Sequence, residues 1–236
     1  SLSAQPTWAY PWLHQPATLR EGLRGMADVN PKEMVAAGYD QIALQGDRGL
    51  SGVRAEERRR YTAFLLQSLS TGSEVLELGC GAGRNTTRQL AERFSVTAVD
   101  ISPRQISLAR ANAPKAQFIQ ADMAMLEFLP SSFNAVAAFY SIFHLPRREH
   151  TALLQRIASW LRPGGLLVAT MGAQSAETDV QEDWRGVSMF WSSYDAEENQ
   201  RLVQAAGLRL VAAKEETAIE FGKAVTFLWV VAEKSN

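Results

Sequence analysis

The sequence predicts an α/β fold: a doubly wound sheet of seven strands, mostly parallel with an antiparallel edge strand, and helices on both faces. Three observations carry that prediction. A short apolar run at residues 75–78 ends in alternating glycines (Gly79, Gly81, Gly83) and passes into a polar, helix-like segment. Strand-length apolar runs at 96–99, 117–120, 135–139 and 166–170 then alternate with helix-period segments at 84–93, 103–112 and 147–161. Two last apolar runs, 208–213 and 225–232, follow each other without a helix and suit an antiparallel pair at the sheet edge. Such alternation buries parallel strands under helices on both faces.

In chain order, residues 1–30 form an N-terminal extension. Pro6, Pro11, Pro16, Trp8 and Trp12 interrupt any period there, which predicts loose order or, as the alternative, a segment whose aromatic residues cover the active site or a partner subunit. Residues 31–72 form a helical cap. Its first helix, 31–44, carries Met34, Val35, Tyr39, Ile42 and Ala43 on one face and is interrupted near Gly38. The glycine-rich stretch 46–52 is a loop. A second helix, 53–69, turns Tyr61, Phe64, Leu65 and Leu69 inward and residues 56–60 to water. The main domain is 73–236. Within it Ser102 precedes Pro103 as N-cap and first-turn proline, and Gly207 closes the helix before residue 208. An insertion at 172–194, dense in aromatic residues, breaks the alternation.

Composition narrows the function. There are 24 basic and 25 acidic residues, a formal charge of -1, which offers no electrostatic case for nucleic acid or an anionic membrane. The single Cys80 rules out an intrachain disulfide and suits a reducing compartment, so the cytoplasm is expected. No apolar run approaches the roughly 18 residues of a membrane span, and the first residues lack a signal-peptide pattern. No metal-ligand set is expected, and the chain is expected to act as a monomer or homodimer.

At the glycine turn, free N–H groups and missing Cβ atoms suit a nucleotide-like cofactor. A dinucleotide site wants G-x-G-x-x-G; here the spacing is G-x-G-x-G, and Arg84 stands where the third glycine would be. The stretch Leu76-Glu77-Leu78-Gly79-Cys80-Gly81-Ala82-Gly83 resembles the first motif of the class I S-adenosylmethionine-dependent methyltransferases, whose fold is Rossmann-like. Val99-Asp100-Ile101-Ser102 resembles the second motif and Gln120-Ala121-Asp122-Met123 the third. Residues 133–145 resemble the fourth, and Leu161-Arg162-Pro163-Gly164-Gly165-Leu166-Leu167 the stretch after it. The resemblance covers about residues 35–233.

That resemblance implies S-adenosyl-L-methionine as methyl donor, with S-adenosyl-L-homocysteine as product. It assigns Gly79, Cys80, Gly81 and Gly83 to the cofactor loop and Glu77 to the cofactor's ammonium group. Asp100 would accept from the ribose hydroxyls, and Ile101 would face adenine. Asp122 and the Met123 N–H would meet the adenine edge, and the backbone around Phe139 and Tyr140 the methionine moiety. Tyr39 resembles an aromatic residue that closes over the cofactor; core packing is the other reading. His144 is the only histidine near the expected methyl position. General base or substrate anchor is one role open to it, and orienting its own loop is the other; His150 is expected to be exposed. Trp184, Met189, Trp191 and Tyr194 are the substrate-pocket candidates of the insertion.

The base-amino methylases of nucleic acids carry a D/N/S-P-P-aromatic tetrad after strand four. Phe139-Tyr140-Ser141-Ile142 stands here instead. The layout is closest to the small-molecule branch that includes quinone-biosynthesis and natural-product enzymes. The expected function is methyl transfer to an O, N or C atom of a small, partly apolar metabolite. A cofactor-binding regulatory module without turnover is the alternative, and the glycine spacing opposes a nicotinamide-dependent oxidoreductase.

Overall fold

A computed structural model describes residues 30–45, 52, 54–220 and 222–235. The expectations for residues 1–29 and for most of the 46–52 loop lie outside them. The chain divides into Ser1–Asn30 and Pro31–Asn236, and the second unit holds the sheet. Its strands are β1 (Glu74–Leu78), β2 (Ser95–Asp100), β3 (Gln117–Gln120), β4 (Phe133–Ala138), β5 (Leu161–Gly172), β8 (Leu208–Glu220) and β9 (Lys223–Lys234), in the order β3-β2-β1-β4-β5-β9-β8. Strands β6 (Ala176–Trp184) and β7 (Val187–Ser193) pair separately. The helices are α1 (Pro31–Leu44), α2 (Ala55–Ser68), α3 (Thr86–Ala91), α4 (Pro103–Asn112), α5 (His150–Trp160) and α6 (Ala196–Ala205).

The first five strands are parallel, and two apolar layers cover the sheet's faces. Strand order reverses beside β1, where β2 lies on one side and β4 on the other. A crevice at the carboxyl ends of strands at such a switch point is where this architecture binds ligands. Four residues, 162–165, bulge out of β5 opposite Asn134, which lets Phe133 pair with Leu161 and Ala135 with Leu166. Among the described residues no helix is long and apolar enough to cross a membrane.

The expected antiparallel pair closes the sheet: β9 pairs antiparallel with β8, the edge strand, and on its other side with β5. Its run Leu228–Ala232 is buried on both faces, whereas β8 carries mostly exposed charged residues and so takes the edge. The insertion, to which the sequence assigned no conformation, is a hairpin, β6–β7. Helix α1 runs unbroken through Gly38, where a Cβ would stand 2.8 Å from Met189 Cε; the missing side chain admits the hairpin. The run 56–60 is not simply a solvated face. Glu57 is buried, and Arg58 lies over the Tyr140 ring, its Cζ 4.4 Å from the ring centre. His150 is buried, with Nε2 donating to Leu145 O at 3.1 Å.

Candidate active site

The site forms where the β1–α3 and β2–α4 turns meet the end of β4. Gly79 adopts φ 78, and a Cβ there would stand 2.3 Å from Ser141 Cβ. Only glycine lets the ends of β1 and β4 close to this distance. Ser141 Oγ then donates to Leu78 O at 2.7 Å. Gly81 adopts φ 54, and a Cβ there would meet nothing within 4 Å. Gly83 packs on α4 at Ala109, 3.1 Å from its would-be Cβ. Cys80 is a small residue of this loop; burial pushes its thiol up, so it stays protonated and is no nucleophile.

Asp100, at the end of β2, holds the loop in place. Its Oδ2 accepts from Gly81 N at 2.8 Å and its Oδ1 from Ser102 N at 3.0 Å. Each carboxylate oxygen keeps a further lone pair. Burial raises its pKa, and the backbone N–H groups oppose that shift. Asp100, Ile101, Asp122, Met123 and His144 line one narrow cleft with Lys32 and Val35 of α1, and its volume is about 30 Å³. Asp122 accepts from Ala124 N at 2.9 Å through Oδ1, while Oδ2 meets Lys32 Nζ at 2.5 Å. Lys32 also donates to Glu149 at 2.7 Å, and the two carboxylates raise its pKa against the effect of its burial. A roomier groove of about 340 Å³ lies between Arg88 and Lys115, away from all these residues.

Glu77 is buried on β1, and its Oε2 has no hydrogen-bond partner among the described residues. Burial pushes its carboxyl up to about 7. An orphaned acidic oxygen beside a glycine loop fits a cationic group such as an ammonium. Phe139 turns its ring into the core against Trp229. Tyr140 follows with φ 57, a conformation costly for a residue with a side chain. Its ring is held by Arg58 and Phe227, and its hydroxyl is buried with no partner among the described residues.

The other half of the site is a dyad. Tyr39, on α1, reaches His144, in the short 3-10 turn after β4, with Tyr39 Oη 2.9 Å from Nε2. His144 Nδ1 lies 2.9 Å from Phe190 O of β7. A carbonyl only accepts, so Nδ1 carries the proton and Nε2 accepts from the tyrosine hydroxyl. Burial lowers the His144 pKa to about 4 and raises that of Tyr39. At neutral pH the pair is therefore uncharged, with the histidine lone pair facing a phenol.

The hairpin walls this dyad. Trp191 lies 4.4 Å from the His144 ring centre and Trp184 5.3 Å from Trp191, and Trp184 meets Tyr39 edge-on at 6.2 Å. Met189 is fully buried against Gly38, so it clasps α1 to the hairpin. Tyr194 packs on Arg147 and His150. Three residues near the cleft escaped the sequence reading: Lys32, Arg58 and Arg185. Only Arg58 left a signal, because it shares a helical face with Tyr61 and Leu65 of α2.

The chain is similar in part to known proteins. A family model described as "Methyltransferase domain" matches residues 75–165. A trans-aconitate 2-methyltransferase of Paracidovorax citrulli is 38% identical over 122 residues, 49% of this chain and 46% of that protein. The 27-O-demethylrifamycin SV methyltransferase of Amycolatopsis mediterranei is 32% identical over 162 residues, covering 62% and 58%. The matched segments thus span about half the length of these relatives. Magnesium protoporphyrin IX methyltransferase from Synechocystis, solved with bound S-adenosylmethionine, superposes with a TM-score of 0.69 at 17% identity, covering 89% of this chain and 99% of that one. That likeness concerns the fold. Residues 75–165 thus match a methyltransferase domain, and they hold the glycine loop and the switch point of the sheet.

Proposed function

We propose that the protein transfers a methyl group from S-adenosylmethionine to an O, N or C atom of a small, partly apolar metabolite. The observation that carries this reading is the neutral Tyr39–His144 pair, anchored on Phe190 O, whose His144 lines the same cleft as Asp100 and Asp122. Glu77 holds the cofactor's ammonium, Asp100 its ribose and Ile101 one face of adenine. Asp122 and the Met123 N–H take the adenine edge, and the backbone at Phe139–Tyr140 the methionine chain. When bound, the cofactor would supply an electrophilic methyl group.

The chain's own residues align the acceptor and move its proton. A proton leaving the acceptor passes to Tyr39 Oη as the phenol's own proton passes to His144 Nε2. Phe190 O holds the imidazole in the tautomer that can receive it. Trp184 and Trp191 exclude water from this step. The relatives named for trans-aconitate and a rifamycin support a small metabolite as acceptor. The same reading has the enzyme act in the cytoplasm as a monomer or homodimer, without nucleic acid or membrane.

Calorimetry with S-adenosylhomocysteine, followed by transfer of labelled methyl to a metabolite panel, tests it. Asp100→Ala should weaken cofactor binding by about 1–3 kcal/mol. Unchanged affinity would remove Asp100 from the ribose site. Replacing His144 by Ala or Tyr39 by Phe should lower turnover by about 10²-fold while cofactor affinity holds. Cofactor binding with no transfer to any acceptor would favour the non-catalytic module instead.

A further inference from the structure

His150 is a buried titratable group to which the methyl-transfer reading gives no task. It opens α5, and Leu153, Leu154 and Ile157 of that helix are buried in the core, so its backbone is firmly held. The side chain folds back five residues, where Nε2 lies 3.1 Å from Leu145 O. A carbonyl only accepts, so Nε2 carries the proton. Burial lowers the pKa of the ring, which is therefore neutral at neutral pH. Nδ1 is then a bare acceptor, buried with no partner among the described residues, and such an orphan costs stability. A phenylalanine would fill this place without that cost. What the histidine adds is the bond to Leu145 O.

Leu145 follows His144 in the turn after β4, and Ser141, His144 and Leu145 all line the cleft. That turn is held at both ends. Ser141 Oγ donates to Leu78 O of β1 at 2.7 Å. At the other end Arg147 N donates to Ser192 Oγ at 2.9 Å, and Ser192 Oγ donates to Glu177 O at 2.6 Å, which fastens the chain to both strands of the β6–β7 hairpin. Inside the turn, His144 N donates to Ser141 O and Leu145 N to Ile142 O, each at 3.0 Å. These two bonds set the turn's shape. The His150 bond ties its middle to α5.

The dyad depends on where that middle lies. His144 reaches Phe190 O through Nδ1 and Tyr39 Oη through Nε2, each at 2.9 Å. Those partners stand on separate elements, β7 and α1. A shift of the turn by about 1 Å would take one or both bonds beyond hydrogen-bond length. Without Phe190 O, the imidazole loses the tautomer that leaves Nε2 free to accept.

We propose that His150 is a positioning residue for the Tyr39–His144 pair: its bond to Leu145 O sets the turn so that Phe190 O selects the His144 tautomer and Tyr39 meets the free Nε2. The inference rests on the reading of that pair as the site's proton-handling groups.

The test is side-chain 15N NMR of the full chain at neutral pH. The chain has three histidines, His14, His144 and His150, and His144→Asn and His150→Gln identify two of the signals. The wild type should show two neutral rings of opposite tautomer, Nδ1–H at His144 and Nε2–H at His150. His150→Phe keeps the volume and loses the donor. It should draw the two 15N shifts of His144 together, as mixed tautomers do. Its melting temperature should change little, because it removes one orphan and creates another. His150→Gln, whose amide N–H reaches the same carbonyl, should restore the wild-type His144 shifts. A merely structural role would lower the melting temperature of His150→Phe and leave the His144 tautomer as it was; that result overturns the proposal. Equal disturbance of His144 by Gln and Phe overturns it too. So does a wild-type His150 protonated at Nδ1, a measurement that needs no variant to fold. Titration with S-adenosylhomocysteine separates the two readings. A wild type that does not bind it overturns the methyltransferase reading, whereas the 15N shifts decide by themselves whether His150 positions His144.

Discussion

His144 and Glu77 are buried groups with opposite protonation demands. His144 titrates at about 4 in the fold against 6.5 ordinarily, so the unfolded chain binds the extra proton between those values. Its burial therefore favours folding fully above about pH 6.5 and loses that advantage as pH falls toward 4. Glu77 titrates at about 7 against 4.5, so here the folded chain binds the extra proton, and stability is lost as pH rises from 4.5 through 7. The two slopes oppose one another between about pH 4.5 and 6.5. Each shift corresponds to about 3 kcal/mol. Urea unfolding at stepped pH should show Glu77→Gln losing about that much stability between pH 6.5 and 4. His144→Asn should instead gain stability as pH falls from 7 to 4.5. A wild type and two variants with one common profile would mean that neither side chain is buried as described. A cofactor ammonium at Glu77 would favour its ionised form, which links the acid's cost in the free protein to its use in binding.

At the scale of elements, the hairpins and the cap hold each other. Arg54, at the entrance to α2, is buried; its Nε donates to Glu220 at 2.5 Å and its NH2 group to Val225 O at 2.5 Å. It thus bolts the cap to the β8–β9 hairpin, and its guanidinium covers Phe227, whose ring stacks on Phe143 next to the dyad. Arg54→Ala should cost about 3–5 kcal/mol, because Glu57 and Glu220 would be left without their cation. A loss below about 1 kcal/mol, the scale of an exposed pair, would show that water reaches this cluster. Helix α1 is tied down in the same manner. Asp40 Oδ1 accepts from Ser102 Oγ at 2.5 Å and from Arg104 N at 3.1 Å, and Gln105 Nε2 donates to Tyr39 O at 3.2 Å. Those bonds join the cap to the N-terminus of α4, directly behind Asp100.

For the molecule as a whole, the cleft of about 30 Å³ holds little more than one water, far less than a nucleoside. If the cofactor binds here as proposed, α1 is expected to move and the Lys32 bridge between Asp122 and Glu149 to open on its entry. Stopped-flow tryptophan fluorescence should show Lys32→Ala binding S-adenosylhomocysteine several-fold faster than the wild type. An unchanged association rate would mean that the gate lies elsewhere.

Most of the glycine-turn half of the cleft was legible in the sequence. Its signals are local: glycines whose backbone must turn, an acid at a strand's end, and a period that switches between two and 3.6 residues. Ser102 capping α4 and Gly83 packing on Ala109 follow from such neighbours in the chain. The half around Tyr39 and His144 was not legible. Tyr39 meets His144 across 105 positions, and His144 meets Phe190 across 46. Period could assign each residue to a face of its element but not to a partner from another. The charge run at 56–60 misled for the same reason: solvated and inward-turned arginines look alike until the strand they cover is known. By itself the sequence determined the sheet and its glycine turn, because short-range backbone geometry dictates both, while the methyl donor was implied by the resemblance of its motifs. Only the tertiary structure decided which side chains form the dyad, that β9 lies inside the edge, and that Arg185 folds over Trp184, because those outcomes depend on burial and charge shared between distant elements.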